Sequence, residues 1–115
     1  MKRNLTLAAL PRDIVDFLSR LGENLKLARL RRNMTQKELA AAMFTTRQTV
    51  ARLEAGDAGI SLGMFLTAAF CLRRFAELRG MLSPETDIEG FTLERRRLLR
   101  CKGGRKEKNV DELDF

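Results

Sequence analysis

The segment that most constrains the fold is residues 33–56, where two short helices follow from the side chains alone. Thr35 and Glu38 have the spacing of a capping box, in which each side chain accepts a hydrogen bond from the backbone N–H of the other residue. Thr46 is suited to cap a second helix, and Gly56 is suited to end it. The segment therefore predicts two short helices joined by a tight turn.

The apolar and polar residues of this segment fall on opposite faces of the two helices. The inward positions recur at helical spacing and are Leu39, Ala40, Met43, Val50 and Leu53. Phe44 and Thr45 form the break, and the small side chains of Ala40 and Ala41 suit a close crossing of the helices. The outward positions of the second helix are Arg47, Gln48, Thr49 and Arg52. Such residues are usually a solvated helix face, and the alternative is a surface that contacts a ligand.

Helical periodicity also precedes this segment. Pro11 suits the first position of a helix. Apolar residues then recur every three or four positions as far as residue 32, although Gly22 interrupts them. The pattern predicts either two helices, 12–21 and 22–32, or one bent helix.

After the central segment, Ser61 is suited to cap a fourth helix, which we expect to reach Gly80, either straight or with a bend near Cys71. Its inward stripe consists of Leu62, Phe65, Leu66, Ala69 and Phe70. Residues 83–115 follow as an acidic loop and, from Phe91, a basic tail that we expect to be disordered in isolation. The chain is thus predicted to be all-α: an N-terminal arm and helix over residues 1–20, a bundle over 21–82, and the tail.

Charge is distributed unevenly along the 115 residues. The formal net charge is +7 and the isoelectric point is near 10.2. Counting Lys and Arg against Asp and Glu, residues 1–20 carry +2, 21–56 carry +4, 57–90 carry −2 and 91–115 carry +3, which together give +7. A basic face next to an acidic one favours a polyanionic partner, although many small basic proteins simply have a mixed solvated surface.

Several functional classes are disfavoured by composition. The chain contains no His, and Cys71 and Cys101 lack metal-ligand spacing, so we expect no metal and no cofactor. Gly103 and Gly104 lack the strand–loop–helix context of a phosphate-binding loop, and we expect no enzymatic activity. No apolar run approaches the length of a membrane helix and no signal-peptide pattern is visible, which predicts a cytoplasmic protein.

Residues 33–56 resemble the XRE family, the Cro and phage-repressor class of helix-turn-helix domains. The matching elements are Thr35-Gln36-x-Glu38-Leu39-Ala40 in the first helix and Val50-x-Arg52-Leu53-Glu54-x-Gly56 in the second. The resemblance implies a five-helix, Cro/repressor-like bundle whose second short helix enters the major groove of DNA. It also implies that Glu54 pairs with Arg29, and the sequence departs from the family at Phe44, where a glycine is usual.

The resemblance implies a set of residues that contact double-stranded DNA. Arg47 and Gln48 have the chemistry to read guanine and adenine, respectively. Arg52, one turn further along, is expected to reach a base or a phosphate. Thr35 and Gln36 stand at a helix N-terminus that can hold a phosphate. The complete predicted set is Thr35, Gln36, Thr46, Arg47, Gln48, Thr49 and Arg52.

The whole chain also resembles the HipB-like antitoxins, which are encoded with HipA-like Ser/Thr kinase toxins. The resemblance rests on a helical arm before the domain, the Leu-Glu-Arg-Arg-Arg run at 93–97 and the terminal Leu-Asp-Phe at 113–115. It implies a homodimer that binds a pseudo-palindromic operator, represses its own operon and joins the kinase, in some relatives with a small accessory protein. The alternative is a stand-alone or phage-type repressor without a toxin partner.

Two segments are candidates for a dimer surface, because their apolar content exceeds what one small bundle buries. They are residues 62–82 and the group Ile14, Val15, Phe17 and Leu18. Residues 109–115 combine acidic with apolar side chains, which is typical of a short anchor that orders on a partner. A solvated tail with chance apolar residues is the equal alternative.

Overall fold

The computed structural model describes residues 9–104, with side chains as far as Cys101. The predicted all-α class is confirmed, since the described residues contain five α-helices and no strand. They divide into two compact units, of which the first ends at Arg79 and the second begins at Gly80. The first unit contains α1 (Arg12–Arg31), α2 (Gln36–Ala42), α3 (Arg47–Glu54), α4 (Leu62–Cys71) and a 3₁₀ helix (Phe75–Leu78). The second contains a 3₁₀ helix (Pro84–Thr86) and α5 (Ile88–Gly104).

Of the two readings for residues 12–32, the structure shows a single helix, α1. Gly22 lies inside it, buried against the end of α3, where a Cβ would be 2.5 Å from the backbone oxygen of Glu54. Gly56 (φ +79°) likewise lies so close to α1 that a Cβ added to it would be 2.7 Å from the Leu18 backbone oxygen. The glycine at position 22 therefore serves a backbone-to-backbone contact and does not break the helix.

The core of the first unit lies where α1, α2, α3 and α4 meet. All five residues predicted to point inward from α2 and α3 are buried, and they pack with Leu25, Ala28, Ala68 and Leu72. Ala40 is buried at the crossing of α2 and α3. Ala41, which we also expected there, is exposed, so one alanine is sufficient for the close approach.

The fourth helix ends earlier than predicted. It stops at Cys71, because Arg73 adopts a left-handed conformation (φ +62°) and the backbone N–H of Arg74 returns to the Ala69 oxygen at 2.8 Å. The chain continues as the 3₁₀ helix Phe75–Leu78. The inward stripe was also partly wrong: Leu62 and Phe70 are exposed, while Ala68 and Leu72 are fully buried.

The second unit corrects the prediction of a disordered tail from Phe91. Residues 91–104 belong to α5, and residues 105–115 lie outside the described part of the chain. The helix begins at a cap that sequence analysis had treated as loop: Asp87 accepts from the Gly90 backbone N–H at 2.8 Å. The arginine run that follows consists of good helix formers, which is compatible with helix once the first turn is capped. Among residues 9–104, no helix has the length and apolarity needed to span a membrane.

Candidate nucleic-acid interface

The two short helices begin at the predicted caps. The Thr35 hydroxyl accepts from the Glu38 backbone N–H at 3.0 Å, and the Glu38 carboxylate accepts from the Thr35 backbone N–H at 2.8 Å. Thr46 accepts from the Thr49 backbone N–H at 3.2 Å, and the two threonine hydroxyls are 3.1 Å apart. The capping box of α2 and the threonine cap of α3 are therefore confirmed.

The turn between α2 and α3 contains a strained residue. Phe44 adopts the left-handed conformation (φ +58°), which glycine accepts without strain and other residues rarely adopt. Its side chain is 96% exposed, so burial of the ring does not offset the strain. The backbone holds this conformation, because the N–H groups of Phe44 and Thr45 donate to the oxygens of Ala41 and Ala40. The turn thus has the glycine-type geometry even though glycine is absent.

A buried ion pair joins α1 to the end of α3, as the family resemblance implied. Arg29 Nε donates to Glu54 Oε2 at 2.6 Å and Nη2 donates to Oε1 at 3.0 Å. The two side chains are only 7% and 4% exposed. Arg29 Nη1 also donates to the backbone oxygen of Met34 at 2.7 Å, just before α2. The hydrogen bond to Glu54 raises the pKa of Arg29 above its ordinary value, although burial opposes this.

Gln36 connects this pair to the exposed end of α3. Its Nε2 donates to Glu54 Oε1 at 3.0 Å, and its Oε1 accepts from Arg47 Nη1 at 3.0 Å. The sequence predicts a phosphate contact for Gln36 and gives no sign of this bridge. The four side chains Arg29, Glu54, Gln36 and Arg47 form one hydrogen-bonded chain that runs from the core to the surface. The family resemblance implied the Arg29–Glu54 pair, but no sequence signal links Gln36 and Arg47 to it.

The structure places the predicted contact residues at two neighbouring helix starts. Arg47, Gln48 and Thr46 are exposed at the start of α3, and Thr35 is exposed at the start of α2. Thr49 is half-buried behind them. Arg52 is held to one side, because its Nε donates to Asp57 Oδ2 at 2.7 Å.

The arrangement presents donors and acceptors of the kind that read nucleic acid. The guanidinium of Arg47 and the amide of Gln48 extend from an exposed helix end, and the hydroxyls and backbone N–H groups beside them can bind phosphate oxygens. Arg47 shares one of its donors with Gln36, so the direction of its guanidinium is set before any ligand arrives. The geometry suits a rigid helix that enters a groove.

Comparison with known proteins agrees with this geometry. Residues 25–69 match the helix-turn-helix family model HTH_3, and the match spans α2, the turn and α3 together with parts of α1 and α4. The match covers less than half of the chain and supports an XRE-type helix-turn-helix in this region. No curated protein and no solved structure matches the chain significantly.

Replacing Glu54 by Ala should lower the free energy of unfolding by about 3–5 kcal/mol, because the Arg29 guanidinium would remain buried without its counter-charge. Chemical denaturation followed by circular dichroism measures the change. Glu77→Ala is the matched control: Glu77 pairs with Arg74 at the surface, where solvent screens the interaction, so stability should hardly change. Equal effects of the two substitutions would contradict the importance of the buried pair.

Replacing Phe44 by Gly should raise the free energy of unfolding by about 0.5–1 kcal/mol. Glycine removes the strain of the left-handed turn, and the exposed phenyl ring contributes little packing that could be lost. Ala42→Gly, at an exposed position in the last turn of α2, is the control and should destabilise the protein through lost helix propensity. A Phe44→Gly variant that unfolds more easily than the parent would show that the ring stabilises the turn.

Proposed function

We propose that this protein, whose residues 25–69 form a DNA-binding helix-turn-helix domain, is a sequence-specific transcriptional repressor. The observation that carries the proposal is the hydrogen-bonded chain from Arg29 through Glu54 and Gln36 to Arg47. It holds the exposed start of α3 in one position relative to the core. A recognition helix needs this rigidity, because base reading depends on hydrogen bonds of fixed direction.

The residues of the interface have distinct proposed roles. Arg47 and Gln48 read base edges in the major groove, and Thr49 lies behind them at the groove wall. Thr35, Gln36 and Thr46 orient the domain through phosphate contacts at the starts of α2 and α3. For Gln36 the phosphate role is combined with the bridge to Arg47. Arg52 is the weakest member of the set, because Asp57 already neutralises its charge.

We further propose that two copies bind one pseudo-palindromic operator. One recognition helix contacts only a few base pairs, so useful specificity needs two half-sites about one helical turn apart. The apolar residues Ile14, Val15 and Phe17 remain exposed on α1, which supports a surface available for pairing.

The finer proposal is that the protein is a HipB-like antitoxin, which represses its own operon and binds a HipA-like Ser/Thr kinase, with or without a third small protein. The support is the resemblance of the arm and tail, together with the basic helix α5, whose exposed Ile88, Phe91 and Leu99 lie beyond the DNA-binding domain. The second candidate, a stand-alone or phage-type repressor, shares the same domain. A kinase gene beside this one and co-purification of its product would favour the antitoxin.

Arg47→Ala and Gln48→Ala should each weaken operator binding by roughly 1–3 kcal/mol and relax the base preference at one position per half-site. Fluorescence anisotropy with an operator selected from random DNA, and with single-base variants of it, measures both effects. Lys37→Ala, on the exposed face of α2, is the control and should weaken all sequences about equally, if at all. If Arg47→Ala lowered specific and non-specific affinity to the same extent, the arginine would contact phosphate only.

Deleting residues 109–115 should leave operator affinity within about threefold, because this segment brings no net positive charge to the DNA. The same deletion should weaken assembly with a co-encoded kinase or accessory protein, since the apolar side chains of Val110, Leu113 and Phe115 would be lost. Pull-down of the partner by intact and truncated chains provides the comparison. Equal retention would mean that the segment is a linker and not an anchor.

A further inference from the structure

One stripe of α1 is buried in its second half and exposed in its first half. Its residues recur every three or four positions and are Ile14, Phe17, Leu18, Leu21, Leu25 and Ala28. Leu25 and Ala28 belong to the core of the first unit. Ile14 and Phe17 are 44% and 52% exposed, although they lie on the same face. The helix therefore extends past the bundle by about two turns, and the apolar face continues with it.

This extension is held firmly in place relative to α3. At Gly22 the backbone of α1 is so close to Glu54 that a side chain would not fit, and at Gly56 the same is true against Leu18. The Arg29–Glu54 ion pair joins the same two helices about two turns further along α1. Anything that binds the exposed half of α1 therefore also sets the position of the proposed recognition helix.

The charges beside the exposed stripe are arranged in a self-complementary way. Asp13 and Arg20 are seven residues apart, which places them on the same flank of the helix, since seven residues are close to two turns. Within residues 9–104, neither side chain forms an ion pair. Arg12 and Asp16, by contrast, pair with each other at 3.2 Å. One acid and one base therefore remain at the two ends of the apolar surface.

We propose that residues 12–21 of α1 form the dimer surface, packing antiparallel against the same residues of a second copy. A two-fold axis near Phe17 places Asp13 of each copy beside Arg20 of the other, so that two equivalent ion pairs flank an apolar centre. In a parallel pair the same flanks of the two helices lie on opposite sides of the contact, so Asp13 and Arg20 would have no partner of opposite charge in the second copy. The charge pattern thus selects both the occupant, a second copy, and its direction. This inference deepens the proposed function, because it names the surface through which two copies would bind one operator.

The proposed contact between the two α1 helices is small, so whether the dimer forms depends on whether DNA is present. Two helices that meet over ten residues bury less than the roughly 1,200–2,000 Å² typical of a stable complex. The dimer should therefore be weak in free solution and strong on DNA, where two half-sites hold the copies at high effective concentration. Because α1 is tied to α3, the same contact would set the spacing between the two recognition helices.

Charge exchange along α1 tests the proposal. Asp13→Arg and Arg20→Asp should each lower the cooperativity of binding to a two-half-site operator by about tenfold, because like charges would then face each other. The double variant carrying both substitutions should recover it, because the ion pairs re-form with the charges exchanged. Glu23→Arg is the matched control, since it makes the same charge change on the opposite side of α1 and should retain the cooperativity.

Two further measurements separate this surface from the proposed function. Binding to a single half-site should stay within about twofold of the parent in both single variants, since α3 is untouched. If the parent bound no half-site, the proposed function would be contradicted but the dimer surface would not. Sedimentation at high protein concentration then tests the dimer surface without DNA. Self-association there is expected for the parent and the double variant and should be reduced in each single variant. A parent that stays monomeric both alone and on DNA, or a double variant that does not recover, would overturn the proposal.

Discussion

The buried ion pair between Arg29 and Glu54 is the interaction on which the rest of the first unit depends. Two charges removed from water are tolerated only when each satisfies the other, and here two hydrogen bonds of 2.6 and 3.0 Å join side chains that are nearly inaccessible. The pair joins α1 to the end of α3, and the third donor of Arg29 reaches the Met34 oxygen before α2. One side chain thus holds three segments of the chain in a single arrangement.

The same ion pair also orients the side chains of the candidate interface. Gln36 uses its amide nitrogen to contact Glu54 and its amide oxygen to hold Arg47, so a surface guanidinium is oriented by a charge in the core. Arg52, more than one turn after the start of α3, is held instead by Asp57, whose other carboxylate oxygen accepts from the Gly59 backbone N–H. The two arginines of α3 therefore differ in what they can offer a ligand: the first is directed outward, and the second supports the loop that follows.

Within residues 9–104, the residues other than glycine that adopt left-handed conformations lie in the turns between helices. Asn33, Phe44, Arg73 and Leu82 all adopt left-handed backbone conformations, and only the first is a residue that tolerates them well. At Phe44 and Arg73 the following N–H group returns to an oxygen of the preceding helix, which stabilises the turn against the side-chain strain. The fold is therefore determined by the packing and hydrogen bonds around these turns and not by the local preference of the residues within them.

Features that depend on near neighbours could be predicted from the order of the residues. The caps at Thr35, Thr46 and Ser61, and the inward faces of α2 and α3, were predicted correctly because capping bonds and helical periodicity act within a few residues. The Asp87 cap of α5 had the same kind of signal and was overlooked. Three outcomes became clear only from the packed fold: Gly22 continues α1, Gln36 bridges Glu54 and Arg47, and Phe70 is exposed. Those outcomes depend on which distant segments meet, and periodicity identifies an apolar face without saying whether another element covers it.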